Sequence, residues 1–244
     1  MPQFDDDLFL GTAPTGMGLG LGDPSPMPNG VGPLGRIYVW DAVPDAAVAN
    51  NIAASQTPVG ANTLTLTAGT SVTAVRKTDF TTVYQLDCPR AVSVTQAGGG
   101  TQRNFTVSGY DIYDQPMTEV ITSTVGATVN GKKAFYQVSS VAVSGATTTA
   151  CTVGTSDVLG IPVRVTNAGY VASVKWDNTL AADTGTFVAA VTSTATSTTG
   201  DVRGTYDPSS ACDGSKRLVM GILLPAIAVG PNATRIGALG VTQA

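Results

Sequence analysis

Asp111 and Asp114 stand three residues apart in the stretch YDIYDQPM, and their type and spacing could do chemistry. Two carboxylates held face to face can act as the acid and base of a glycoside hydrolase, or can ligate calcium. Gln115-Pro116 follows at once, however, and aspartate beside proline or glycine far more often shapes a turn. The same holds for Asp183, Asp201, Asp207 and Asp213, each next to Gly, Pro or Thr. Asp5-Asp6-Asp7 could attract a cation and reads better as an exposed acidic stretch. Arg203, in GDVRGTY, is expected to pair with a nearby carboxylate. The chain has no histidine, which removes Ser-His-Asp and Cys-His catalysis and histidine-containing metal sites. Cys88, Cys151 and Cys212 are too widely spaced for a chelating pair, and their odd number leaves at least one unpaired. Three reduced, buried thiols are expected. No serine lies in a nucleophile elbow. The residues thus point to a protein that is not an enzyme, with no catalytic residue, no cofactor and no metal.

The elements that would position these side chains are strands. Val92 and Val94 alternate with Ser93 and Thr95, and Phe105 and Val107 with Thr106 and Ser108. Val120, Phe135, Val138, Val141 and Val143 carry the runs that follow. Short β-branched and aromatic runs broken by Gly, Pro, Asn and Asp are strand signals. Asp114-Gln115-Pro116 reads as a hairpin, and Asn130-Gly131 as a type I′ turn, since both residues tolerate positive φ. Arg36 to Trp40, Leu64 with Leu66, Tyr170 to Trp176, Thr186 to Val191 and Arg217 to Leu224 add further strands. The last is apolar enough to be buried on both faces. Asp177-Asn178 reads as a turn. One alanine-rich stretch, residues 41–54, could form a short helix capped by Asp45 after Pro44. The expected fold is all-β, an antiparallel sandwich or jelly-roll-like arrangement, with residues 37–165 as a β-domain and 166–244 as a second domain or its continuation.

Residues 1–36 differ in kind. Gly and Pro dominate, disfavouring helix and sheet alike, so an extended arm is expected. Its apolar residues Phe4, Leu8, Phe9, Leu10, Met17, Leu19, Leu21 and Met27 are candidate anchors in grooves of a partner chain. Only 12% of the 244 residues are charged, against roughly a quarter in ordinary soluble domains. Such a surface suits burial against other chains. The net charge of −4 and the scattered 13 basic residues give no footprint for nucleic acid. The longest apolar run, Leu218 to Val229, is broken by Pro225 and cannot span a bilayer. The acidic stretch MPQFDDDLFL is unlike the basic start of a signal peptide, so assembly in a cytoplasm is expected. The tail from Ala226 onward is too apolar to be left in water and is expected to pack in the core or at an interface.

The stretches RNFTVSGYDIYDQPMTEVITS, NGKKAFYQVSSVAVSG, CTVGTSDVLGIPVRV and TSTATSTTGDVRGTYDPSSACDGSKRLVMGILLP together resemble virion structural proteins of tailed bacteriophages, and head decoration (cement) proteins most. The likeness covers roughly residues 88–225 and leaves out the arm. It implies a β-domain on the capsid exterior that binds the major capsid protein and copies of itself, as a homo-oligomer such as a trimer, and bridges capsomers. A tail or fibre component that binds a host glycan is the alternative. For that role Tyr110, Tyr113 or Trp176 would have to stack on sugar, where strand-site packing is the plainer account.

Overall fold

The structure, a computed structural model, describes residues 36–191, 200–224 and Gln243. The eight arm anchors, Phe4 through Met27, lie outside these residues, as does the tail except for Gln243. Thirteen strands are present among the described residues: β1 Arg36–Ala42, β2 Ala53–Gln56, β3 Asn62–Thr63, β4 Val72–Arg76, β5 Thr82–Gln96, β6 Asn104–Tyr110, β7 Pro116–Thr122, β8 Thr128–Val143, β9 Cys151–Gly160, β10 Val171–Lys175, β11 Thr186–Ala189, β12 Gly204–Asp207 and β13 Leu218–Leu224. The fold is all-β. Every pairing between these strands is antiparallel, and the curled sheets form a half-barrel, sandwich-like body.

The larger sheet runs β11-β12-β9-β5-β8-β6-β7, with β2 added on β9, β3 on β8 and β4 on β5. Its backbone is the pair β5 and β8, two long strands whose register shifts mark bulges. Bulges let a long strand bend and change the neighbours it serves. The alternation along β6 and β8 puts Phe105, Val107, Phe135, Val138, Val141 and Val143 into one core with Val92, Val94, Met117, Ile121 and Val153. The smaller sheet runs β1-β13-β10. Its inner face, Trp40, Leu218, Met220 and Ile222, closes a second core with Leu159, Ile161, Val165, Trp176 and Tyr206.

The hairpin expected at Asp114 is present between β6 and β7, with Asp114 at φ 62°. The turn at Asp177-Asn178 is also present, both residues having positive φ. Two local expectations are overturned. Residues 43–52 form no helix. Their backbone is engaged elsewhere: the Asp45 amide donates to Asp87 Oδ2 at 2.8 Å, and Val48 exchanges bonds with Thr155 through its amide and its carbonyl. The segment lies flat on β9 because Gly154 carries no side chain; a Cβ there would sit 2.0 Å from the Val48 carbonyl oxygen. Asn130-Gly131 makes no turn either, since β8 runs straight through it. Here glycine makes room: a Cβ at Gly131 would lie 2.5 Å from Glu119 Oε2.

Candidate functional site

The carboxylates singled out by spacing are engaged in structural contacts. Asp111 is buried. Its Oδ1 accepts from the amides of Tyr113 and Gln115 at 2.8 and 2.9 Å. Its Oδ2 accepts from Arg203, the expected ion pair, and from Gln243 Nε2 at 2.8 Å. Asp114 points to solvent and pairs with Lys77. Among the described residues no group of three or more Cys, Asp and Glu side chains converges as metal ligands. The residues named for sugar stacking are equally occupied. Trp176 is a core residue that donates to Ser210 Oγ at 2.9 Å. The Lys77 ammonium sits 3.3 Å from the Tyr110 ring centroid. Tyr113 is exposed, but Arg203 lies 5.0 Å from its ring centroid and its hydroxyl donates to the Pro162 carbonyl.

Two polar clusters that the sequence does not announce hold the body together. One is centred on Arg90, which is fully buried. Its Nε donates to the Ser156 carbonyl at 2.8 Å. One terminal nitrogen donates to the Asp45 carbonyl at 3.0 Å and to both oxygens of Asp87 at 3.0 Å, while Asp157 stands 3.7 Å from the other. A single guanidinium thus joins β5, β9 and the 43–52 segment. Cys88 and Cys212 border it. All three cysteines are free thiols. Burial, reinforced by Asp87, pushes the Cys88 thiol well up. Burial and the charge of Asp157 push Cys212 up to about 12, and burial raises Cys151. Thiols so held stay protonated and unreactive near neutral pH.

The other cluster fills the space between β7, β8 and the residues leading into β12. On β7 the inward sites are Met117, Glu119 and Ile121, so a carboxylate takes a core position. Glu119 accepts from the amides of Lys132 and Lys133. The Lys133 ammonium donates to the carbonyls of Thr118 at 2.8 Å and Gln243 at 2.7 Å. Asp201 accepts from the amides of Ala134 at 2.9 Å and Arg203 at 2.8 Å. Burial raises the Asp201 carboxyl. Burial also pushes Glu119 up to about 7, although the two lysine amides and the Lys133 charge hold it down.

A pH dependence follows. Glu119 binds its proton more tightly in the folded chain than at its ordinary value of 4.5. Its contribution is therefore full below about 4.5 and lost as pH rises through about 7. Asp201 and Asp207, also raised by burial, act in the same direction, whereas Asp41, Asp79, Asp183 and Asp213 are shifted the other way and lose their contribution only as pH falls below the ordinary carboxylate range. Urea unfolding is expected to show a loss of roughly 2–3 kcal/mol between pH 5 and pH 8. Glu119→Gln should flatten that slope; an unchanged slope would remove Glu119 as its source.

The remaining feature is a surface. Along β1, Tyr38, Trp40 and Ala42 face the second core, while Ile37 and Val39, and Val43 just after the strand, stand 58%, 59% and 50% exposed. In register on the same outer face, Leu223 lies opposite Ile37 and Gly221 opposite Val39, and Ser173 lies opposite Gly221 on the far side. The patch is bordered by the exposed Asp41–Arg217 pair. In the chain, residues 1–35, which lie outside the described residues, run directly into this strand. In the sequence, Arg36 to Trp40 reads as an ordinary strand. The available signal was that both alternating sets in Ile37-Tyr38-Val39-Trp40 are apolar, as in a strand covered on both faces. No protein-family model, curated protein sequence or solved structure matches the chain.

Proposed function

We propose that the chain is a structural protein of a phage head, a cement protein that binds the outer capsid and ties neighbouring capsomers together. The carrying observation is the half-exposed aliphatic face of β1 at the root of a Gly/Pro-rich arm. Ile37 and Val39 stand where a soluble monomer would place charge, and only 12% of the chain is charged. Covering each of the two contributes roughly 1 kcal/mol, and many symmetry-related copies sum such contacts. The resemblance of residues 88–225 to virion proteins points the same way. The buried Arg90 and Glu119–Lys133 clusters suit the role, since they join strands far apart in the chain into a body that transmits load.

The test is binding of the purified protein to mature heads that lack it, with and without residues 1–35. The full chain should saturate the heads, and the shortened chain should bind at least about tenfold more weakly, a difference of about 1.4 kcal/mol. Equal binding by both would remove the arm from the mechanism. No binding by the full chain would overturn the cement role.

A further inference from the structure

Resting on that assembly role, we infer that the outer edge of β1 receives Leu8-Phe9-Leu10 from the arm of a second copy of this chain, as an added strand. The seven-residue edge strands of the two sheets are β1 and β7. On β7 the mid-strand amide of Thr118 already donates to the Gln243 carbonyl at 3.0 Å. The far side of β10 is occupied as well: Lys175 bridges to Ala182, and the Asp183 amide donates to the Val174 carbonyl. The edge of β4 carries the exposed Thr73, Ala74 and Arg76, a charged border of the kind that discourages strand addition. The side of β1 away from β13 has no backbone partner among the described residues, and its outer face offers Ile37 and Val39 to the side chains of an incoming strand. An apolar edge left unprotected is a template for pairing.

The occupant follows from the arm's own sequence. Leu8-Phe9-Leu10 is its one run of consecutive large apolar residues. Nearer to β1, prolines 24, 26, 28 and 33 remove backbone donors, so that part makes a poor ladder partner. Each proline also biases the residue before it toward extended conformations. A composition such as Asp23-Pro24-Ser25-Pro26-Met27-Pro28 suits a spacer better than a ladder partner. From Leu10 to Arg36 the chain can extend to about 85 Å. That is well beyond the diameter of roughly 35–45 Å expected for a body of this size. The tip can therefore reach the β1 edge of a neighbour, and a ring or network of copies linked in this way is joined without a further partner.

The experiment mixes two full-length chains with different tags, one Phe9→Cys and the other Val39→Cys, after co-expression and with a short bis-maleimide. A cross-linked product bearing both tags is expected, absent from unsubstituted chains and strongly reduced when Ile37→Lys is added to the second chain. Sedimentation of the unmodified full chain should show an oligomer that deletion of residues 1–35 dissociates. The inference is overturned if no cross-link forms. It is equally overturned if a Phe9→Cys/Val39→Cys double variant links only within one chain. Head binding is scored separately on the same samples. Head binding without exchange would overturn the inference and leave the cement role standing; exchange without head binding would do the reverse.

Discussion

Arg90→Met is expected to cost roughly 3–5 kcal/mol of stability. In a chain of this size that lowers Tm by on the order of 10 °C. Methionine fills most of the space but carries no donors. The Ser156 and Asp45 carbonyls then lose their partner inside the body. The carboxylates of Asp87 and Asp157, both held near the guanidinium, lose their counter-charge. Removing one member of a buried, hydrogen-bonded ion cluster leaves the other charges uncompensated, which costs far more than the net worth of the intact cluster. Arg90→Lys restores charge without the fork and should recover a part. The comparison is Arg217→Met, which removes an exposed, solvent-screened pair with Asp41 and should leave Tm nearly unchanged. Differential scanning calorimetry on the three variants reads the order directly; equal losses for Arg90→Met and Arg217→Met would contradict the role of Arg90.

Asp201→Ala is the second large effect. The carboxylate lies in the buried cluster and accepts from two backbone amides, Ala134 on β8 and Arg203 just before β12. Alanine leaves both donors without an acceptor, each worth about 1–3 kcal/mol when unsatisfied, and takes away a negative charge near Arg203 and Lys133. The burial cost of the carboxyl itself, visible in its raised pKa, is recovered and offsets a part. A net loss of roughly 2–4 kcal/mol is expected. Amide hydrogen exchange gives the specific signature: Ala134 and Arg203 should lose protection while Val138 and Val141, further along β8, keep theirs. Loss spread evenly over β8 would mean that Asp201 does not pin this end of the strand.

These clusters mark where sequence reading stops. The alternation of Phe105 with Val107, and of Val141 with Val143, was legible because period-two burial is a local pattern that survives in the fold. So was the β6–β7 hairpin, since Asp114 before Gln-Pro is turn chemistry. Arg203 finding a carboxylate was legible as a type of contact, but its partner Asp111 was not, because the two are brought together by packing. Gly131 misled for a related reason. Asn-Gly signals a turn by backbone freedom, yet the space at Gly131 serves the Glu119 carboxylate arriving from β7. Residues 41–54 misled through propensity: alanines favour a helix weakly, and the bonds to Asp87, Arg90 and Thr155 override it. Gln243 carried no local signal at all; its partners Thr118, Lys133 and Asp111 are remote in sequence. The candidate surface was half legible, since the arm stands out by composition, whereas the exposure of Ile37 and Val39 required the sheet order β1-β13-β10.

The measurement that bears most directly on the cement role is the temperature at which mature heads release their DNA, with and without saturating protein, read together with the copies bound per head. The cement role predicts saturable binding in many copies per head and release at a distinctly higher temperature. Unchanged release, with the protein bound at one vertex or on the tail, would contradict it.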